Sequence, residues 1–438
     1  MKLSAIKTQV IIFSRKYNIS LPRPIRLQGL DIAFCNTVKY LGIHLDSRLN
    51  WHDHVHKTAK KCINILFASR KMIGDRWGLS PDKIMWVYNA IIKPIMTYAC
   101  VTWAPRLLGN RSMMKPLDRP GNLALLLASG ARRTSSQEVL HQLFSLLPAA
   151  LELEKASLLQ AIKLHSTDHW PLLHVDHSVR PSLEPCHTIL NRILNDIFGQ
   201  YNPDTNDLCK PTDISNKNYK LNIANRDMVP LNPNDHIITT YTDGSKHNDN
   251  TTGYGVAIFL DTEHWVTENH TLSTEHTVFQ CEAHALRRAS ILLNEILTSP
   301  SYTEHRVIIY TDSQALIKAL SNPYTISKTV QHVHDSLNIM STNHLTSIEW
   351  IPGHKGHYGN ELADKLANIR SVTSNPELEL NHPPFPHTYY KNKILQSIST
   401  KHTAQWRNCN ISHNTKELVT AITHRNLQGQ HLSLIHIS

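Results

Sequence analysis

Paired cysteines, charged residues and long apolar runs are all scarce in this chain. Its seven cysteines (Cys35, Cys62, Cys100, Cys186, Cys209, Cys281 and Cys409) are irregularly spaced, with no C-x-x-C pair. That argues against a disulfide framework and fits a reducing compartment. Only 18% of the residues are charged, against 41% hydrophobic, so the chain is no disordered polyelectrolyte and can form real cores. No apolar run reaches the roughly 20 residues of a membrane span. The nearest, around 90–103, is broken by Lys93 and Pro94. Lys7 comes too early for the apolar stretch of a signal peptide. A soluble intracellular protein without a membrane partner is expected, in the nucleus or the cytoplasm.

What is present is length and basicity. The 438 residues suggest several domains. Lys plus Arg number 45 against 35 Asp plus Glu, a formal charge of +10, which favours polyanionic partners through counterion release.

Periodicity divides the chain. Lys7 to Ser14 reads as a short strand, and Val38 to Ile43 as a strand or hairpin around Gly42. From His52 the apolar residues recur at helical spacing, with Val55, Ala59, Cys62, Ile63, Leu66 and Phe67 on one stripe. Ser80-Pro81 opens a second helix with stripe Ile84, Val87, Tyr88, Ile91 and Ile95. More helix follows over 121–166, then a polar linker over about 168–232 with one short helix near Ile189 to Ile197. His52, Asp53, His54 and His56 are read as a solvated helix start, because alternate residues do not share a helix face.

The pattern sharpens at Ile237. Strands are predicted at Ile237–Thr242, Gly253–Leu260, Trp265–Leu272, Arg306–Thr311 and Ile348–Ile351. Helices are predicted at Thr277–Leu297, Asp312–Leu320, Ser327–Met340 and Tyr358–Ile369. A meander followed by βαβ units implies an α/β fold, with helices packed on a mixed sheet.

Four carboxylates punctuate this region. Asp243 follows the first strand in Tyr241-Thr242-Asp243-Gly244-Ser245, and Asp312 follows the fourth in Tyr310-Thr311-Asp312-Ser313. Glu282 lies in the long helix on the register of Phe279 and Leu286, and Asp364 ends Gly359-Asn360-Glu361-Leu362-Ala363-Asp364. Two parallel strands that both end in Thr-Asp bring their carboxylates together at the ligand-binding edge of the sheet. Several carboxylates in one cleft cannot all ionise without cations, and hard oxygen ligands suit Mg²⁺ or Mn²⁺.

These motifs, with Gly253-Tyr254-Gly255, Phe279-Gln280-Cys281-Glu282-Ala283 and Trp350-Ile351-Pro352-Gly353-His354-Lys355-Gly356, resemble the ribonuclease H domain of retroelements. The resemblance implies a five-stranded mixed sheet with flanking helices, and endonucleolytic cleavage of the RNA strand of an RNA–DNA hybrid by two metal ions (Mg²⁺, with Mn²⁺ as substitute). The products would carry 3′-hydroxyl and 5′-phosphate ends. It makes Asp243, Glu282, Asp312 and Asp364 metal ligands and His354 an aid to turnover. It brings Ser245, Gln314 and Asn360 to the sugar-phosphate backbone, with 2′-OH contacts distinguishing RNA. The stretch from Leu320 to Ser327 is too short to hold the family's basic protrusion.

The N-terminal half is similar to the end of a non-LTR, Jockey-like reverse transcriptase, through Lys39-Tyr40-Leu41-Gly42, Leu49-Asn50-Trp51 and Tyr98-Ala99-Cys100-Val101-Thr102-Trp103. No Tyr-x-Asp-Asp occurs, so no DNA synthesis is expected and the chain reads as a C-terminal piece of a larger polyprotein. The expected division is a palm and thumb remnant at 1–107, a mainly helical connection and linker at 108–231, the nuclease at 232–373 and a polar tail at 374–438. Cys409 alone cannot build a zinc knuckle. Three other readings compete: a decayed fragment that binds nucleic acid without cutting it, a structural interaction module on the same fold, and an integrase-type transferase acting on DNA ends.

Overall fold

A computed structural model of the chain describes residues 4–14, 16, 22–70, 80–170, 184–223, 236–247, 249, 251–260, 265–299, 302, 305–369 and 383–427. Parts of the expected linker (171–183 and 224–235) and the closing stretch 431–438 lie outside the described residues. The chain forms two compact units. One gathers Met1–Ala161, Pro171–Tyr201 and Lys393–Ser438, the other Ile162–Trp170 and Asn202–Asn392.

The first unit opens with two small antiparallel pairs, β1 (Ile25–Leu27) with β2 (Leu30–Ile32) and β3 (Thr37–Tyr40) with β4 (Ile43–Asp46). Leu41 and Gly42 both take positive φ, 45° and 86°, so the second pair turns in two residues. The expected strand at Lys7–Ser14 is absent: Ala5–Lys7 is a 3₁₀ turn and Val10 makes only a single bridge to Phe34. Helices α1 (His52–Arg70), α2 (Pro81–Val87), α3 (Lys93–Met96), α4 (Cys100–Trp103), α5 (Arg111–Ser129), α6 (Gln137–Leu143), α7 (Ala149–Ser166) and α8 (Cys186–Phe198) follow.

A π-helical turn at Tyr88–Ile92 joins α2 to α3. Its extra residue rotates the stripe, so Ile84, Tyr88, Ile92 and Met96 are buried while Ile91 is exposed. His54 also departs from its expected solvated place: it is buried, edge-on to Trp103 at 5.0 Å, and burial lowers its pKa to about 4. It is a neutral core histidine. Among the described residues no single helix is long and apolar enough to cross a membrane.

The second unit is built on a sheet. Its strands are β5 (Leu208–Asp213), β6 (Lys220–Asn222), β7 (Ile237–Lys246), β8 (Thr252–Phe259), β9 (Trp265–Leu272), β10 (Arg306–Thr311), β11 (Tyr324–Ser327) and β12 (Thr346–Trp350). Six of them run in the order β6-β12-β10-β7-β8-β9. The β7-β8-β9 meander is antiparallel, while β10 pairs parallel to β7 and β12, and β12 parallel to β6. The five expected strands are therefore joined by a sixth from the supposed linker, where Leu221 pairs with Ile348.

Helices α9 (Val278–Ile296), α10 (Gln314–Ser321), α11 (Lys328–Met340) and α12 (Tyr358–Asn368) complete the unit's core. Ile238, Val307, Ile309 and Ile348 share a cluster with Leu286, Leu316 and Val333, whereas Tyr241, Ile308 and Tyr310 pack with Ala363 of α12. Both faces of β10 are thus covered, which is why Val307 to Tyr310 is continuously apolar.

Two devices tie flanking segments to this core. Asp207 accepts from the Thr329 amide at 2.8 Å and from the Thr329 hydroxyl at 2.6 Å, anchoring the start of α11 beside the β5–β11 pair. Pro383 to Phe385 forms a strap over the start of α9. The Gln280 amide donates to the Pro384 carbonyl at 2.7 Å, and His276 Nε2 donates to the Pro383 carbonyl at 2.9 Å. Phe385 in turn exchanges backbone bonds with Thr205 and Asp207. The supposed polar tail then enters α13 (His387–Asn408), followed by α14 (His413–Leu427).

Candidate active site

The parallel register sets Thr311 opposite Thr242, so Asp312 and Asp243 occupy neighbouring positions on adjacent strands. Asp243 does not follow its strand, contrary to the expectation of a strand that ends at Thr242. β7 runs on to Lys246, with Asp243 paired to Gly255 and Gly244 to Tyr254. The strand continues because Gly244 lets α9 approach: a Cβ there would collide with the backbone nitrogen of Glu282 and lie 2.8 Å from Cys281 Cβ. A capping box between Thr277 and Gln280 starts α9 and fixes Glu282 in its second turn.

One carboxylate oxygen from each of Asp243, Glu282 and Asp312 lies within 4.8 Å of the others. Asp364, on α12, adds its charge to the surroundings of Asp243, and it is steadied by Asn368, whose amide donates to Asp364 Oδ1 at 2.8 Å. Asp312 is fixed through its backbone carbonyl, which accepts from Trp350 Nε1 at 3.0 Å. Gly353 is needed beside it, since a Cβ would come within 2.7 Å of Asp312 Oδ2.

The electrostatics are those of crowded, dehydrated acids. Burial, reinforced by the charges of Asp243 and Asp312, pushes Glu282 up to about 10. Burial together with Asp312 and Asp364 raises Asp243 to about 7. Burial also raises Asp312, while nearby His354 pulls it back. Glu282 Oε2 is buried with no hydrogen-bond partner among the described residues. An unpartnered buried carboxylate oxygen facing two other carboxylates is an all-oxygen donor set that fits hard divalent cations.

The other expected site residues are placed unevenly. His354 is exposed on the loop before α12, with φ at +54°. Gln314 is exposed in the first turn of α10. The Ser245 hydroxyl donates to the Ala367 carbonyl at 2.7 Å, leaving only its lone pairs for a ligand. Asn360 is 4% exposed, with Oδ1 unpartnered among the described residues, so it sits beneath the surface, one helical turn from Asp364. Sequence reasoning missed Asn368, although its four-residue spacing from Asp364 was the available signal. It also missed Gln280 and His276, whose partners lie over a hundred residues away.

Residues 235–371 match the family model described as RNase H. The chain is 27% identical over 161 residues to a Pol polyprotein of the type-1 retrotransposable element R1 from Bradysia coprophila, covering 37% of this chain and 16% of that protein. It is 26% identical over 129 residues to an R1 Pol polyprotein from Nasonia vitripennis, covering 30% of this chain and 32% of that protein. The chain thus spans a small part of these relatives' length. A solved RNase H1 from Halobacterium salinarum NRC-1 is 23% identical, with a TM-score of 0.24, covering 30% of this chain and 95% of that one. Residues 235–371 form a ribonuclease H domain, in a chain homologous to the Pol polyproteins of non-LTR retrotransposons.

Proposed function

We propose that this domain hydrolyses the RNA strand of RNA–DNA hybrids endonucleolytically, with two Mg²⁺ ions and products ending in 3′-hydroxyl and 5′-phosphate. The observation that carries the proposal is the convergence of Asp243, Glu282 and Asp312, with a buried Glu282 oxygen left for a cation. Asp243, Glu282, Asp312 and Asp364 are the residues that would hold the ions. Bound there, divalent ions supply charge neutralisation and Lewis acidity for water attack on a phosphodiester.

The chain's own groups position the substrate and keep the site dry. Gly244 brings α9 against β7 and closes the floor behind the carboxylates. His354, exposed and felt electrostatically by Asp312, would assist turnover and product release. Gln314 offers an exposed amide to the sugar-phosphate backbone, and Ser245 an acceptor. Recognition of RNA would come through the 2′-OH. Residues 1–107 are read as the late palm and thumb of a reverse transcriptase without its catalytic aspartates.

The test is cleavage of a strand-labelled RNA–DNA hybrid by the purified chain, with and without Mg²⁺. Metal-dependent RNA cuts that disappear in Asp312→Asn support the proposal, and cuts that persist in that variant sink it. A chain that binds hybrid and never cuts it would be a decayed binding remnant.

A further inference from the structure

Away from the carboxylates, the same domain exposes two aromatic rings, Trp265 and Tyr358, over Phe259 at the edge of the core. Phe259 at the end of β8 and Trp265 at the start of β9 are direct cross-strand partners, with ring centres 6.0 Å apart. Tyr358, the first residue of α12, lies 6.2 Å from Phe259 and 6.5 Å from Trp265, its ring within 17° of parallel to the indole. That 6.5 Å is near the outer limit for an aromatic pair, so the two large rings gain little from each other. Their surfaces stay open: Trp265 is 53% exposed and Tyr358 64%. Beside them is an open cavity of about 420 Å³ lined by Thr239, Tyr241, Phe259, His357 and Tyr358.

The position relates this surface to the carboxylates. Thr239, Tyr241 and Asp243 alternate onto one face of β7, so the cavity wall at Tyr241 is about 7 Å along the strand from Asp243. Tyr358 precedes Asp364 on α12 by six residues, about 9 Å of helix. These are distances of one to two nucleotides. Lys355, next in sequence to the lining Gly356, and Lys365 on α12 are both exposed, with Glu361 as the exposed acid on α12 between them. Lys365 falls two helical turns after Tyr358, on the same side.

We propose that Trp265 and Tyr358, with Phe259 beneath them, form a stacking surface for an unpaired nucleobase, in a strand that runs on from the hybrid held at the carboxylates. Every base has a π-face and stacks on exposed rings without regard to sequence, while flanking lysines meet the phosphates. Bases inside an intact duplex are stacked and paired already, so the surface selects single-stranded extensions. A protein partner would need no lysines around the rings, and the site's continuity with the catalytic strand favours nucleic acid. The inference rests on the nuclease reading only for its choice of hybrid, because stacking itself needs neither metal nor cleavage.

The experiment measures binding in EDTA, with the full chain and a fluorescent RNA–DNA hybrid that is either blunt or extended by a single-stranded RNA overhang. The chain should bind the extended hybrid about tenfold more tightly. Trp265→Ala and, separately, Tyr358→Ala should remove that preference while leaving blunt-hybrid affinity within about twofold, and Trp265→Phe should restore it. Circular dichroism identifies any variant that fails to fold, and the other variant then decides. Equal affinity for the two hybrids overturns the proposal, as does an overhang preference that survives both alanine variants. So does Trp265→Ala dissociating a dimer of the chain with oligonucleotide binding unchanged, since the rings would then belong to a protein interface. Loss of overhang preference together with intact Mg²⁺-dependent cutting separates this site from the nuclease. Absence of all cutting with the preference intact would remove the nuclease reading and leave the stacking surface standing.

Discussion

Two glutamates of the ribonuclease H domain, one partly and one fully buried, have opposite fates. Glu268, on β9, receives a two-pronged grip from Arg288, whose Nε and Nη2 donate at 2.8 and 2.7 Å, and a third bond from the Tyr254 hydroxyl at 2.7 Å. Burial pushes it up, but Arg288 and Tyr254 outweigh that and hold its carboxyl below the ordinary value. Glu282 has two carboxylates for neighbours, an unpartnered oxygen and a carboxyl driven to about 10. The first is satisfied from within and holds β9 against α9. The second is left open, and the cations of the proposed function would offset its cost.

The largest contrast should appear in activity. Asp243→Asn, which removes the charge at the centre of the open cluster, should lower hybrid cleavage by about a thousandfold or more, followed as single-turnover cleavage of labelled RNA. Arg288→Ala should leave Mg²⁺-dependent cutting per folded molecule nearly intact.

Stability should invert that order. Arg288→Ala strands Glu268 without its partner and should destabilise the chain by about 3 kcal/mol in urea unfolding. Replacing Glu268 and Arg288 together by leucine should recover most of the loss, and failure to do so would mean that the pair acts through something other than its charges.

Divalent ions should sharpen the comparison further. At an Mg²⁺ concentration about a hundredfold above its dissociation constant, wild-type stability should rise by about 2.7 kcal/mol. Asp243→Asn should show little of this gain, and Arg288→Ala all of it.

The smallest effect is electrostatic relief. Folded Glu282 keeps its proton up to about pH 10, against an ordinary value of 4.5, so the native state binds the extra proton and stability is lost as pH rises between those values. Glu282→Gln should therefore unfold like wild type near pH 4 and, without metal, be more stable by about 1–2 kcal/mol at pH 8. A gain that is independent of pH would show that burial of the unpaired charge is not its source.

Much of this domain is written in local sequence pattern. Trp265–Leu272 and Arg306–Thr311 are legible as strands because alternation and a buried apolar run are local signals. Asp243 and Asp312 are legible as neighbours because Thr-Asp recurs on two strands that pair side by side. What stays hidden depends on distant partners. The strand at Lys220–Asn222 has only three residues and exists because Leu221 meets Ile348. The bond between Glu268 and Arg288 joins two ordinary surface-type residues. Asp-Gly reads locally as a turn and so puts Asp243 beyond its strand, whereas Gly244 is there for the approach of α9. Asn360 resembles a backbone contact by its motif, yet burial removes it from the surface.

The strap at Pro383–Phe385 bears on where this domain can be cut free. Family likeness ends at residue 371, yet the carbonyls that receive His276 and Gln280 lie beyond it, and Phe385 is knitted to Thr205 and Asp207, ahead of residue 235. An excised fragment limited to the matched span would leave His276, just before α9, and Gln280, in its first turn, without these acceptors, and Glu282 sits in the very next turn. The polar contacts that brace the start of α9 therefore reach past the family-matched span at both ends.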